Sequence, residues 1–107
     1  MPDAKTRVIF MDGDWDIGRR DELELLLKPV YDSPGSLILD MHAVSYADST
    51  ILAALIVLRN RRRSKGLPLP NLVIGSRQVR RLLSIAGLGE AFPVFESLDA
   101  ANDSLTP

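Results

Sequence analysis

Leu37-Ile38-Leu39-Asp40-Met41-His42-Ala43-Val44-Ser45-Tyr46-Ala47-Asp48-Ser49-Thr50 is the stretch whose reading decides the fold. Residues 36–41 are mostly apolar, of strand length, and preceded by the turn signal Ser33-Pro34-Gly35. That pattern reads as a central strand buried on both faces. Residues 42–47 read as a connection, and Ser49 opens a helix. The first turns of this helix, residues 51–58, are apolar on every side, so both sheet and neighbours should cover them. Its end carries Arg59, Arg61, Arg62, Arg63 and Lys65, cations that suit the negative helix terminus. Gly66 closes it.

Upstream, Leu23, Leu26, Leu27, Val30 and Tyr31 recur with helical period, and Asp21, Glu22 and Glu24 occupy the early turns, where the dipole favours acids. Pro29 predicts a kink or an early end, since it removes a donor and crowds the preceding turn. Residues 6–11 are β-branched and apolar, a strand that should give way to a turn at Asp12-Gly13-Asp14. Downstream, residues 69–75 predict another strand, with Pro70 at its start. Ser76 caps a third helix with Val79, Leu82, Leu83 and Ala86 as its buried stripe, and Gly87 stops it. Residues 92–95 run extended, and Ser97 caps a short last helix through Leu98, Ala100 and Ala101. Residues 1–5 and 104–107 read as loose ends. The strand–helix alternation predicts an α/β fold: one domain over residues 1–107 with its core at roughly 6–103, built on a mixed, largely parallel sheet of about four strands with about four helices packed against it.

The chain has 107 residues, 46% of them hydrophobic and 25% charged, enough apolar material to bury a core without metals or disulfides. It has no cysteine, which excludes disulfides, thiolate metal sites and thiol nucleophiles. His42 is the one histidine, too little for a His-based metal site or a Ser-His pair, and it reads as a hydrogen-bonded loop residue. There is no Gly-x-Ser-x-Gly elbow, dinucleotide loop or Walker sequence. A net charge of −1 argues against a protein that coats nucleic acid. The longest apolar run, residues 51–58, falls short of the about 20 residues needed to span a bilayer, and residues 1–5 lack the layout of a signal peptide. These features predict a soluble cytoplasmic domain without cofactor or metal, which is not an enzyme, does not insert into membranes and does not contact nucleic acid directly.

Three stretches together resemble the STAS domain family, the bacterial anti-sigma factor antagonists. Gly13-Asp14-Trp15-Asp16-Ile17 is similar to the family's Gly-x-apolar-Asp turn after an early strand. The stretch from Leu37 to Thr50 looks like its buried strand, Asp-apolar pair and loop ending in Asp-Ser-Ser/Thr. Val79-Arg80-Arg81-Leu82-Leu83-Ser84-Ile85-Ala86-Gly87-Leu88, running on to Phe92-Pro93-Val94-Phe95-Glu96-Ser97-Leu98-Asp99-Ala100-Ala101, is similar to its C-terminal helix, Gly-Leu stop and final helix. The match runs in order from residue 8 to residue 101. Ile51 stands where the family commonly has Gly, Ala43 where it often has Gly, and the N-terminal stretch is short for the edge strand found in many members.

The resemblance implies a protein-binding regulator that acts by partner switching. The unphosphorylated domain binds an anti-sigma factor that is itself a serine kinase, and phosphorylation of the serine after the loop aspartate releases it. By position Ser49 is that acceptor, with Thr50 the second candidate, and Asp16, Asp48, Ser49, Thr50, Ile51 and Leu52 form the partner-binding surface. The alternative within the same fold is an accessory or scaffold subunit, for example of a transporter ATPase complex, that binds constitutively without phosphorylation. Ile51 keeps it open, because a branched side chain in place of Gly could block a kinase loop.

The residues by themselves carry plainer roles. Ser49 suits an N-cap, worth about 1 kcal/mol, with Asp48 making further loop hydrogen bonds. Asp16 suits a turn aspartate satisfying nearby backbone donors, and Trp15 a packing residue. Capping and phosphorylation are compatible, since a hydroxyl at a helix N-terminus faces unsatisfied N–H groups and the positive dipole end. The modification adds about −1.5 to −2 charges at neutral pH. The basic run, with Arg77, Arg80 and Arg81, reads as a solvated face, or else as a contact to an acidic partner surface.

Overall fold

The computed structural model describes residues 6–105. In chain order the elements are β1 (Arg7–Trp15), α1 (Arg20–Leu27), β2 (Leu37–Ala47), α2 (Ser49–Ser64), β3 (Asn71–Ile74), α3 (Arg77–Ile85), β4 (Val94–Phe95) and α4 (Leu98–Leu105). The strands form one sheet in the order β1-β2-β3-β4. All three pairings are parallel, so the largely parallel four-stranded sheet expected is present, with no antiparallel pair among the described residues. Each strand is linked to the next through a helix, the connection a parallel pair requires.

Alternation along the strands sorts the core into two layers. Leu37, Leu39 and Met41 of β2, with Leu72 and Ile74 of β3, join the large cluster formed with Leu23 and Leu27 of α1, Ile51, Leu55 and Leu58 of α2, and Val79 and Leu83 of α3. Ile38 and Val73 point the other way, onto Ala101 of α4, with Phe95, Leu98 and Leu105 around them.

Several elements depart from expectation for identifiable reasons. β1 does not stop at Asp12-Gly13-Asp14 but runs on to Trp15, with register breaks between Phe10 and Asp12 and between Gly13 and Asp14. Gly13 absorbs the irregularity at φ +82, a value that a side chain would strain. Residues 42–47 are not a loop either; they extend β2 to eleven residues, with Ala43 to Ala47 still paired to β1. β3 is shorter than expected, at Asn71–Ile74. α1 ends at Leu27, and a 3-10 turn over Lys28–Val30 places Pro29 where its missing donor matters least. Leu23, Leu27 and Val30 are buried, as the stripe predicts. α3 buries Val79 and Leu83 but leaves Ala86 exposed past its end. Ser104 and Leu105, expected to be loose, close α4; the expectation for residues 1–5 and 106–107 lies outside the described residues.

The basic run departs furthest. Arg62 is fully buried and fans into four carbonyls: Nε donates to Pro68 O at 2.8 Å, Nη1 to Val30 O and Ser33 O at 2.9 Å each, and Nη2 to Gly35 O at 2.8 Å. Burial pulls its pKa down from the ordinary arginine value, but a guanidinium stays protonated in proteins. Arg59 donates to Ala91 O, Arg61 lies over the Tyr31 ring at 4.8 Å, and Lys65 pairs with Asp32 at 2.8 Å. Arg59 and Arg62 are thus clamps on neighbouring connections, while Arg61, Arg63 and Lys65 stay exposed, as a solvated face would have them.

Candidate functional site

The candidate site lies at the carboxyl edge of the sheet, where open parallel sheets generally place their sites. Trp15 and Ala47 are register partners, and the next residue on each strand is an aspartate. Asp16 Oδ1 accepts from Gly18 N at 2.9 Å and shapes the turn into α1. Asp48 N donates to Trp15 O at 3.2 Å, which ties the two strand ends together. Asp48 Oδ1 then accepts from Thr50 N at 2.8 Å. The N-cap of α2 is therefore Asp48, in extended backbone, and Ser49 is the first helical residue. This corrects the assignment of the cap to Ser49. With its neighbour doing the capping, the Ser49 side chain is exposed at the head of the helix.

Thr50 is half-buried behind it, and Leu52 is likewise half-buried. Ile51, expected on the contact surface, is 1% exposed and packed in the core. It falls on the helix stripe of Leu55 and Leu58, which faces the sheet. The branched side chain in the family's glycine position is thus turned away from anything that approaches Ser49.

Two latches hold the edge in place. Beyond Ile74 the strand β2 has no β3 partner, and Gln78 of α3 takes over: Ala47 N donates to Oε1 at 2.9 Å and Nε2 donates to Ala47 O at 2.8 Å. Ser76, the cap of α3, donates to Ser45 O at 3.1 Å. On the other side, Arg19 donates to Asp12 O at 3.0 Å and Asp14 O at 3.1 Å, stacks over Trp15 at 3.6 Å, and forks onto Glu22 at 2.8 and 2.9 Å. The hydrogen bond to Glu22 raises the Arg19 pKa, and the same bond holds the Glu22 carboxyl below its ordinary value. Trp15 itself is buried and donates Nε1–H to Asp12 O, a packing role.

Between α1 and α2 lies an open groove of about 360 Å³, with Ser49 and Thr50 at one end and Tyr31 toward the other. Small side chains make it: Ser49, Ala53 and Val57 recur at intervals of four along α2, facing Leu23 and Leu27 of α1. Ile17, 71% exposed, stands at the groove beside Arg20. Sequence reading missed this groove and both latches. The groove had a signal, the small residues at Ala53 and Ala54 in a helix apolar on all sides; Gln78 and Arg19 had none, since their partners are backbone atoms distant in the chain.

His42 lies on β2 rather than in a loop. Its Nδ1 is 2.6 Å from Asp40 Oδ1, on the sheet face opposite the large cluster and clear of Ser49. Among the described residues no three His, Cys, Asp or Glu side chains converge to hold a metal ion, and no helix is long and apolar enough to cross a membrane.

The described residues form a four-stranded parallel α/β domain that presents an exposed serine and an open groove beside a pair of strand-end aspartates. The chain belongs to the STAS domain family, whose model matches residues 3–101. Among solved structures it is similar to an anti-sigma factor antagonist from Mycobacterium paratuberculosis, at 26% identity and a TM-score of 0.77 over 94% of this chain and 85% of that one. The unphosphorylated form of the anti-sigma factor antagonist SpoIIAA matches at 18% identity and TM-score 0.77, over 97% and 90% of the two chains. A sulfate transporter family protein from Wolinella succinogenes matches at 24% identity and TM-score 0.74, over 94% and 84%. No curated protein sequence matches.

Proposed function

We propose that this chain is an anti-sigma factor antagonist acting by partner switching. The unphosphorylated domain binds an anti-sigma factor with serine kinase activity through Asp16, Asp48, Ser49, Thr50, Leu52 and the groove beside them. The partner transfers the γ-phosphoryl group of ATP to Ser49 Oγ, giving phosphoserine and ADP with loss of the hydroxyl proton, and the complex dissociates. The observation that carries this reading is the exposed Ser49 at the first position of α2, freed from capping by Asp48. Thr50, half-buried behind the cap, is the poorer acceptor. A phosphate there brings about −1.5 to −2 charges next to Asp48, and an apolar partner surface would have to desolvate them.

Incubation with the cognate kinase and ATP, followed by peptide mass analysis, tests the switch. Phosphate is expected on the Ser49 peptide and lost in Ser49→Ala; an unlabelled Ser49 peptide sinks it. The constitutive reading is a scaffold subunit docked through the same groove, along the stretch formed by Ala53, Ala54 and Val57, which carries no hydroxyl. Partner binding unchanged by Ser49→Asp would decide for it.

A further inference from the structure

Arg20 lines the groove that Ser49 lines, from the opposite helix. It is exposed, and among the described residues its side chain makes no hydrogen bond or ion pair. Lys28 lies off toward the Tyr31 end, beside Glu24, and the other cations near the groove are committed. Arg19 is spent on two carbonyls, Glu22 and the Trp15 ring; Arg61 lies on Tyr31; Arg59 holds Ala91 O. The acidic groups around the site are Glu24 in the groove wall, with Asp48 and Asp16 at the strand ends. Both aspartates are engaged with backbone N–H groups. The α2 wall offers only uncharged side chains.

We infer that Arg20 is the receptor for a phosphate on Ser49, forming an ion pair that bridges α1 and α2 across the mouth of the groove. The inference rests on the proposed phosphorylation of Ser49 and deepens it. A guanidinium fork matches a phosphate dianion with two parallel N–H···O bonds, and its long stem gives it reach. The phosphorylated domain then closes its own groove. Release of the partner follows from occlusion as well as from repulsion, with no change of fold.

The test uses the full chain with phosphoserine placed at position 49 during translation, so that no kinase is needed. The readout is the 31P titration midpoint of that phosphate. Replacing Arg20 with Gln is expected to raise the midpoint by about half a pH unit or more, because the cation favours the dianion. The α2 terminus and Asp48 act equally in both proteins, so the difference isolates Arg20. Arg20→Lys should restore part of the shift, and unphosphorylated Arg20→Gln should melt with the unmodified protein. Equal midpoints in the phosphorylated parent and Arg20→Gln overturn the inference. Kinase labelling of Ser49 with an Arg20-independent midpoint removes the latch and leaves the switch. An Arg20-dependent midpoint without kinase labelling removes the switch and leaves the latch as a property of the surface.

Discussion

Arg62 shows how one side chain can hold two connections. Its guanidinium satisfies Val30, Ser33 and Gly35 between α1 and β2, and Pro68 between α2 and β3, without exposure to water. Arg62→Leu leaves those carbonyls unpaired and is expected to cost about 3 kcal/mol in urea unfolding, because buried orphan groups carry most of their desolvation penalty. Arg62→Lys should recover little, since one ammonium cannot reach carbonyls spread over two connections. In sequence Arg62 was indistinguishable from Arg61 and Arg63; only the packing of distant loops singles it out. The Asp-Ser-Thr corner was more legible, but which residue caps depends on the backbone. Asp48→Ala is expected to lose about 1 kcal/mol as a true N-cap, whereas Ser49→Ala should fall within about 0.5 kcal/mol of the parent. Equal losses in the two variants would contradict the assignment. Glu22 supplies a pH test. Its carboxyl is held below its unfolded value by Arg19, so its contribution is present above about pH 4.3 and fades as pH falls through the lower folded value. The melting curves of the parent and Glu22→Gln should therefore differ slightly at neutral pH and converge in acid; a gap that persists in acid assigns the effect elsewhere.

The element that most shapes the site is β2, whose eleven residues carry Ala47 and Asp48 past the end of β3. The apolar half of the strand was plain in sequence, because residues buried on both faces must be apolar. The outer half was not. Ser45 and Tyr46 are exposed, and its hydrogen bonds go to β1 on one side and to Gln78 and Ser76 on the other, partners far away in the chain. Helix starts and stops were legible where local chemistry fixes them, at Ser76, Gly66, Gly87 and Ser97. Extension by tertiary pairing leaves no local mark. Gly75 is the hinge of this arrangement: a Cβ there would lie 2.5 Å from His42 O, so the chain leaving β3 runs against β2 with no room for a side chain. Gly75→Ala is expected to push the two apart and cost about 1–3 kcal/mol. The same variant should raise amide exchange at Ala47 by loosening the Gln78 latch. Parent-like stability and exchange would show that the approach relaxes freely.

Across the whole molecule, the two faces of the sheet are unequally built. The face that carries α1, α2 and α3 holds the large cluster and presents Ser49 at its edge, while α4 sits alone over Ile38 and Val73. α4 has eight residues, below the roughly 12–15 at which an isolated helix is even marginal in water, and among them only Ala101 is fully buried. Its partner strand β4 is two residues long and lies at the sheet edge. Such a unit should open locally before the molecule unfolds. Native-state hydrogen exchange is expected to give α4 and β4 amides an opening free energy well below that of β2 and β3, whose amides should report global unfolding. Ala101→Asp, which buries an unpaired carboxylate under α4, should abolish protection in α4 while leaving the amides of α2 and the labelling of Ser49 unchanged. The Ser49 surface would then depend on three helices and the first three strands, with the C-terminal unit serving to cover the far face. Equal protection of α4 and β2 in the parent protein would mean instead that the sheet and both its layers unfold as one, and that a change under α4 is felt at Ser49.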